Sequence, residues 1–179
     1  HSTIHRWVLR YTPELEAEFR KRKKPVSGRW FWDEMAIKVK GNLKWLYRAV
    51  DEDGDTIDFL LAAKRDQKAA FRFLKKAVRQ HGVPGKINTD KSGANAAGFK
   101  AFNDEHLTDI ELGQMKFLNN IVEQDHRRIR QRTRPMLGIK TFTSAAKTIA
   151  GIEIMAMIKK GQLDIPGSTP FEQFYALAG

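Results

Sequence analysis

From Trp30 to Val39 the chain alternates strictly between two faces. Phe31, Asp33, Met35, Ile37 and Val39 fall on one side, and Trp30, Trp32, Glu34, Ala36 and Lys38 on the other. A period of two is that of an extended strand. The apolar face carries one anomaly, Asp33. An acid inside a strand costs several kcal/mol unless it is paired or coordinates a cation, so this strand bears both a fold signal and a chemical one. Lys44 to Val50 reads as a second strand and Thr56 to Ala62 as a third, with Asp51-Glu52-Asp53-Gly54-Asp55 turning between them. Together the three form an antiparallel meander.

Helical periods then alternate with short strands. Ala70, Phe71, Leu74, Ala77 and Val78 make a core-facing stripe on a helix over 66–80, ended by Gly82 and Pro84. Lys86 to Thr89 is a brief strand, Gly93 to Asn103 a helix, Asp109 to Leu112 a strand, Leu118 to Arg134 a helix stopped by Pro135, and Thr143 to Lys160 a last helix. This order predicts an α/β fold: three antiparallel strands, then parallel ones, in a mixed sheet flanked by helices. Before the sheet, Ser2 to Tyr11 reads as one helix and Pro13 as the start of another that ends in Arg20-Lys21-Arg22-Lys23-Lys24. The helix over 2–11 has nothing before it to pack on, which suggests an upstream partner helix. Ile149, Ile152, Met155 and Ala156 read as a core stripe or a dimer contact, and Trp30, Trp32 and Trp45 as packing residues.

At 179 residues the chain is long enough for one full core. Lys and Arg number 32 against 21 Asp and Glu, a net charge of +11 that favours a polyanionic partner, nucleic acid above all. Cysteine is absent, which excludes disulfides and thiolate metal sites. The longest apolar run, Phe59 to Ala63, is far short of the ~20 residues of a membrane span, so no membrane role is expected.

Two further acids join Asp33. Asp90 follows a strand end, where ligand groups gather in α/β sheets, although an acid before Gly93 also suits a turn or a helix cap. Glu123 precedes five arginines on its helix; at 100° per residue it shares a narrow face with His126, Arg127, Arg130 and Arg134, opposite Leu118, Ile121, Val122 and Ile129. Alone, that pattern also suits a solvated charged face. Brought together, the three acids make a cluster for hard divalent cations, Mg²⁺ or Mn²⁺. Two such ions would serve in-line attack at phosphorus. His126 and Arg130 either position a phosphate or, for His126, hydrogen-bond a neighbouring carboxylate. Lys91 is a phosphate candidate or a solvated lysine.

Asp33-Glu34 on a first strand, Asn88-Thr89-Asp90-Lys91 after a fourth, and Lys116-x-Leu118-Asn119-Asn120-x-x-Glu123-x-Asp125-His126 on a helix resemble the DDE transposases of bacterial insertion sequences, nearest to insertion-sequence family six. Ile37-Lys38-Val39-Lys40-Gly41, Tyr47-Arg48-Ala49-Val50-Asp51 and Gly54-Asp55-Thr56-Ile57-Asp58-Phe59 extend the likeness over 1–162. Met35 stands where the family usually has Thr, and the interval from Asp90 to Glu123 is slightly short.

The resemblance implies a ribonuclease-H-like integrase core over 29–162, preceded in 1–28 by the end of a helix-turn-helix and a basic linker, and followed by a tail over 163–179. It implies Asp33, Asp90 and Glu123 as catalytic metal ligands, strand cleavage and 3′-hydroxyl transfer at element ends, and a cointegrate product. Its partners would be terminal inverted repeats and target DNA, bound by a homodimer or higher multimer in the bacterial cytoplasm at the nucleoid. Arg127, Arg130, Arg134, Arg22, Lys23 and Lys24 would contact phosphates, with Arg6 and Arg10, beside Ser2, Thr3 and His5, reading element ends. The alternatives are a nuclease of the same fold that joins no ends and a non-catalytic DNA-binding remnant.

Overall fold

The computed structural model describes residues 2–114, 120–133, 140–166 and 169–178. In chain order the elements are α1 (Ser2–Lys21), β1 (Arg29–Val39), β2 (Asn42–Asp51), β3 (Thr56–Ala62), α2 (Gln67–His81), β4 (Lys86–Asn88), α3 (Gly93–His106), β5 (Glu111–Gly113), α4 (Asn120–Thr133), α5 (Phe142–Lys159) and α6 (Pro170–Ala178). The sheet runs β3-β2-β1-β4-β5, with the first three strands antiparallel and β4 and β5 parallel to β1. This is the mixed sheet expected from the element order. Residues 26–135, which hold the sheet with α2, α3 and α4, form one compact unit; 1–25 with 136–179, which hold α1, α5 and α6, form another.

The meander closes tightly between β1 and β2. Lys40 (φ 49°) and Gly41 (φ 78°) both take the left-handed conformation that a two-residue hairpin needs. This fixes Asp33 opposite Arg48 and Trp32 opposite Ala49. Even-numbered β1 residues enter the larger core: Trp30 and Trp32 are buried with Tyr47, Phe73, Leu74, Phe99 and Phe102, and Trp32 meets the rings of Phe99 and Phe73 at centroid distances of 4.8 and 5.0 Å. Helices α2 and α3 cover that side. Asp66 caps α2 by accepting a hydrogen bond from the Ala69 amide at 2.8 Å. Gly98 lets α3 approach α2 closely, since a Cβ there would lie 2.6 Å from that of Ala70. Odd-numbered residues face the other way, where Phe31, Val50 and Val122 of α4 are buried together. Asp33 shares that parity, and α4 packs on β1 and β2.

In the other unit, three expectations are corrected. The two N-terminal helices are one: α1 continues through Pro13. An internal proline costs a helix about 3 kcal/mol, but here α1 packs on α5, Thr12 is buried, and Gly151 of α5 brings its backbone so close that a Cβ would be 3.2 Å from Thr12 Oγ1. Packing overrides the local breaker. The segment read as a tail contains α6, begun by a capping box in which Thr169 Oγ1 accepts from the Glu172 amide and Glu172 accepts from the Thr169 amide, with Pro170 at the first helical position. On α5 the buried stripe is Ala145, Ile149, Ile154, Met157 and Ile158, whereas Met155 is exposed. Among the described residues, no helix is long and apolar enough to cross a membrane.

Candidate active site

Register brings the first two acids abreast. Phe31 of β1 pairs with Asn88 of the parallel strand β4, and two residues beyond each stand Asp33 and Asp90. Asp33 Oδ1 accepts from the Glu34 amide at 2.8 Å. Asp90 is held on both oxygens: Oδ1 accepts from the Ser92 amide and from Asn95 Nδ2, each at 3.2 Å, and Oδ2 accepts from Arg65 Nη2 at 2.9 Å. The same Arg65 nitrogen lies 3.3 Å from Glu34 Oε2. Glu34, on the face of β1 opposite to Asp33, is fully buried and pairs with this arginine.

The third acid comes from α4. Val122 and Ile129 anchor the helix, and Glu123 is half-buried at its edge. Arg130 Nη1 donates to Glu123 Oε1 at 3.1 Å. The outward facing expected of His126 is corrected: its side chain is fully buried, with Nδ1 3.4 Å from Glu123 Oε2 and 3.7 Å from Asp33 Oδ2. α4 packs on both β1 and β2, which encloses His126 beside Asp33 of β1. Asp125 is buried beside it and accepts from Arg48 Nη2 of β2 at 3.1 Å, an ion pair that ties the helix to the strand neighbouring Asp33.

The electrostatics follow from this crowding. Burial pushes the Asp33 carboxyl up to about 6; the charges of Asp90 and Glu123 push the same way, against the Glu34 amide bond that lowers it. Burial likewise raises Glu34 to about 7 although Arg65 opposes the shift. His126 is pushed down to about 4, by burial and then by the Arg48 charge, so it is neutral near pH 7. Ligand atoms of Asp33, Glu123 and His126 lie within 4.8 Å of one another, as do those of Asp33, Glu34 and Asp90. Asp33 belongs to both groups. This oxygen-rich set of mutually repelling carboxylates suits a hard divalent cation.

The basic residues divide by exposure. Lys91, Arg127, Arg130, Arg6, Arg10, Arg22 and Lys24 are exposed and Lys23 is half-buried; Arg134 lies outside the described residues. Arg22 donates to the Ala176 carbonyl at 3.1 Å. Sequence reasoning missed Arg65, Arg48 and Asp125. Arg48 carried a usable signal, a charge within the strand run Leu46 to Val50, and Asp125 another, since it shares a helical face with Val122 and Ile129. Arg65, in a loop, carried none.

Comparison with known proteins agrees with this picture. Residues 27–162 match the DDE domain model of IS240-type transposases. The transposase for insertion sequence-like element IS431mec of Staphylococcus aureus is 40% identical over 180 residues, covering 95% of this chain and 76% of that protein. The same figures hold for the Staphylococcus aureus transposase of IS257 in transposon Tn4003. Among solved structures, a chain of the simian T-cell lymphotropic virus intasome in complex with PP2A regulatory subunit B56 gamma aligns with TM-score 0.59 at 17% identity, covering 86% of this chain. The alignment spans 56% of that intasome chain. The HTLV-2 integrase catalytic core domain in complex with magnesium, in its trimeric form, aligns with TM-score 0.58 at 18% identity, covering 83% of this chain and 96% of that one. These structural likenesses carry the ribonuclease-H-like integrase fold, and the family match with the 40% identity carries the rest: the chain belongs to the DDE transposases of insertion-sequence family six.

Proposed function

We propose that this chain cleaves DNA strands at insertion-sequence ends and joins the freed 3′-hydroxyl to target DNA, with Asp33, Asp90 and Glu123 as its catalytic carboxylates and a cointegrate as the product. The observation that carries this reading is the convergence on Asp33 of acids from a strand end and a helix. Bound Mg²⁺ or Mn²⁺, as a pair, would be held by these three acids and would supply Lewis-acid polarisation of the phosphoryl group and an activated hydroxyl. The protein's own part is orientation and charge. Asp33 presents its oxygens from β1 and Asp90 from the loop that follows the adjacent strand β4, and Glu123 closes the cluster from α4. Arg130, now spent on Glu123, is exposed enough to turn to a phosphate as DNA arrives. His126 is neutral and buried, with Nδ1 facing Glu123 and Asp33, so it brings no charge to DNA.

Arg127 and Lys91 extend the surface with sequence-independent phosphate contacts. Arg134, Arg22, Lys23 and Lys24 belong to the same class, and Arg6 and Arg10 on α1 would read the terminal repeats in the DNA-binding portion over 1–28. Terminal repeats and target DNA would be engaged by a homodimer or higher multimer.

Strand-transfer assays on precut, labelled ends with a supercoiled target and Mg²⁺ test the reading. Joined product is expected from the wild-type transposase and none from Asp90→Asn. Hydrolysis without joining would make the protein a nuclease of the same fold, and an Asp90→Asn variant with full activity would remove the catalytic assignment altogether.

A further inference from the structure

Asp90 leaves a strand end into a loop, a position with little intrinsic rigidity, yet both its oxygens are occupied. Two of its three donors are local, the Ser92 amide and Asn95. The third, Arg65, arrives from the connection between β3 and α2 and is itself fixed on several sides. Its guanidinium bridges Asp90 and the fully buried Glu34 and lies over the Trp45 ring at 5.3 Å from the centroid. Arg65 meets Oε2 of Glu34, while Oε1 has no hydrogen-bond partner among the described residues, so Arg65 is the cation beside this buried acid.

We propose that Arg65, anchored by Glu34, is a positioning residue that orients Asp90 as a metal ligand beside Asp33. The proposal rests on the catalytic reading of Asp33 and Asp90 given above. Both contacts come from one nitrogen, Nη2, whose two in-plane N–H groups serve one carboxylate each. With the guanidinium held over the Trp45 ring those directions are fixed, whereas a lysine ammonium is a point charge on a flexible stem and holds them poorly. Without Arg65, Asp90 would keep its local donors on Oδ1 but lose the one that fixes Oδ2, and Glu34 would add an unpaired acid to the same neighbourhood. Partners that orient a ligating carboxylate change metal affinity by roughly 10–100-fold when removed.

The test is Mn²⁺ binding to the DNA-free transposase, read as loss of the free-ion signal in electron paramagnetic resonance. Arg65→Ala is expected to weaken binding by about 10–100-fold, Arg65→Lys to recover only part of it, and Glu34→Gln to weaken binding by releasing the anchor. If Arg65→Ala fails to fold, the Lys and Gln variants carry the same test. Unchanged or tighter Mn²⁺ binding in the folded variants would overturn the proposal, because the guanidinium would then be competing with the metal. Asp33→Asn separates the two claims. If it abolishes Mn²⁺ binding while the Arg65 and Glu34 variants bind normally, only the positioning role falls. If Asp33→Asn binds Mn²⁺ as the wild type does, the catalytic-acid reading falls and the positioning role with it.

Discussion

Asp33 is where the site works against the fold, and the conflict has a measurable size. Its carboxyl ionises near 3.8 when unperturbed and near 6 in the folded, metal-free chain, chiefly through burial. Each tenfold change in proton affinity is worth about 1.4 kcal/mol, so ionised Asp33 costs the folded state about 3 kcal/mol. The sign follows from proton binding. Between pH 3.8 and 6 the unfolded chain has released a proton that the folded chain retains, so stability falls as pH rises through this window and levels off above it.

Asp33→Asn removes the charge at nearly constant shape and should therefore stabilise the metal-free protein by about 3 kcal/mol at pH 8, by about half that at pH 5, and hardly at all below pH 4. Glu34 titrates in both proteins, and its own contribution largely cancels in the difference. Urea denaturation in EDTA at the three pH values measures the effect directly. Mg²⁺ should narrow the gap at pH 8, stabilising the wild type by RT ln(1 + [Mg²⁺]/Kd) and leaving the variant unmoved. A gain that does not vary with pH, or a variant less stable than wild type at pH 8, would refute the reasoning.

Two further outcomes test the surface and the core. Arg127→Ala should weaken DNA binding equally for all sequences and reduce the slope of log K against log salt by about 1, measured by fluorescence anisotropy over a salt series; an unchanged slope would remove Arg127 from the interface. Gly98→Val should destabilise the protein by about 1–3 kcal/mol, since even a Cβ would lie 2.6 Å from the Ala70 Cβ and 3.1 Å from the Phe71 backbone nitrogen. An unchanged urea midpoint would mean that α2 and α3 do not approach as closely as described.

The mixed sheet was legible because periods of two and 3.6 are local properties, and an antiparallel meander followed by alternating elements leaves few topologies; which strand lies beside which came from the structure. Asp33 stood out for the same reason: one residue broke an otherwise apolar parity, and β1 has the face that parity requires. α6 was equally readable, since Thr169, Pro170 and Glu172 spell a helix start, but their position near the chain end drew them into a tail. Pro13 misled because a proline states a local cost and says nothing of the packing between α1 and α5 that outweighs it.

The site's supports failed to show for a different reason. Arg65 reaches Glu34 and Asp90 across 31 and 25 positions of sequence, and Arg48 reaches Asp125 across 77. No periodicity links such residues, because each pairing depends on strand register and on how a helix crosses the sheet. His126 shows how little displacement is needed. The wheel groups it with Glu123 and the arginines, yet the packing of α4 on β1 and β2 sets its imidazole against two carboxylates instead of water. Acids that do chemistry disturb a pattern and can be found by the disturbance, whereas the cations that hold them satisfy the structure and leave no mark on any single element.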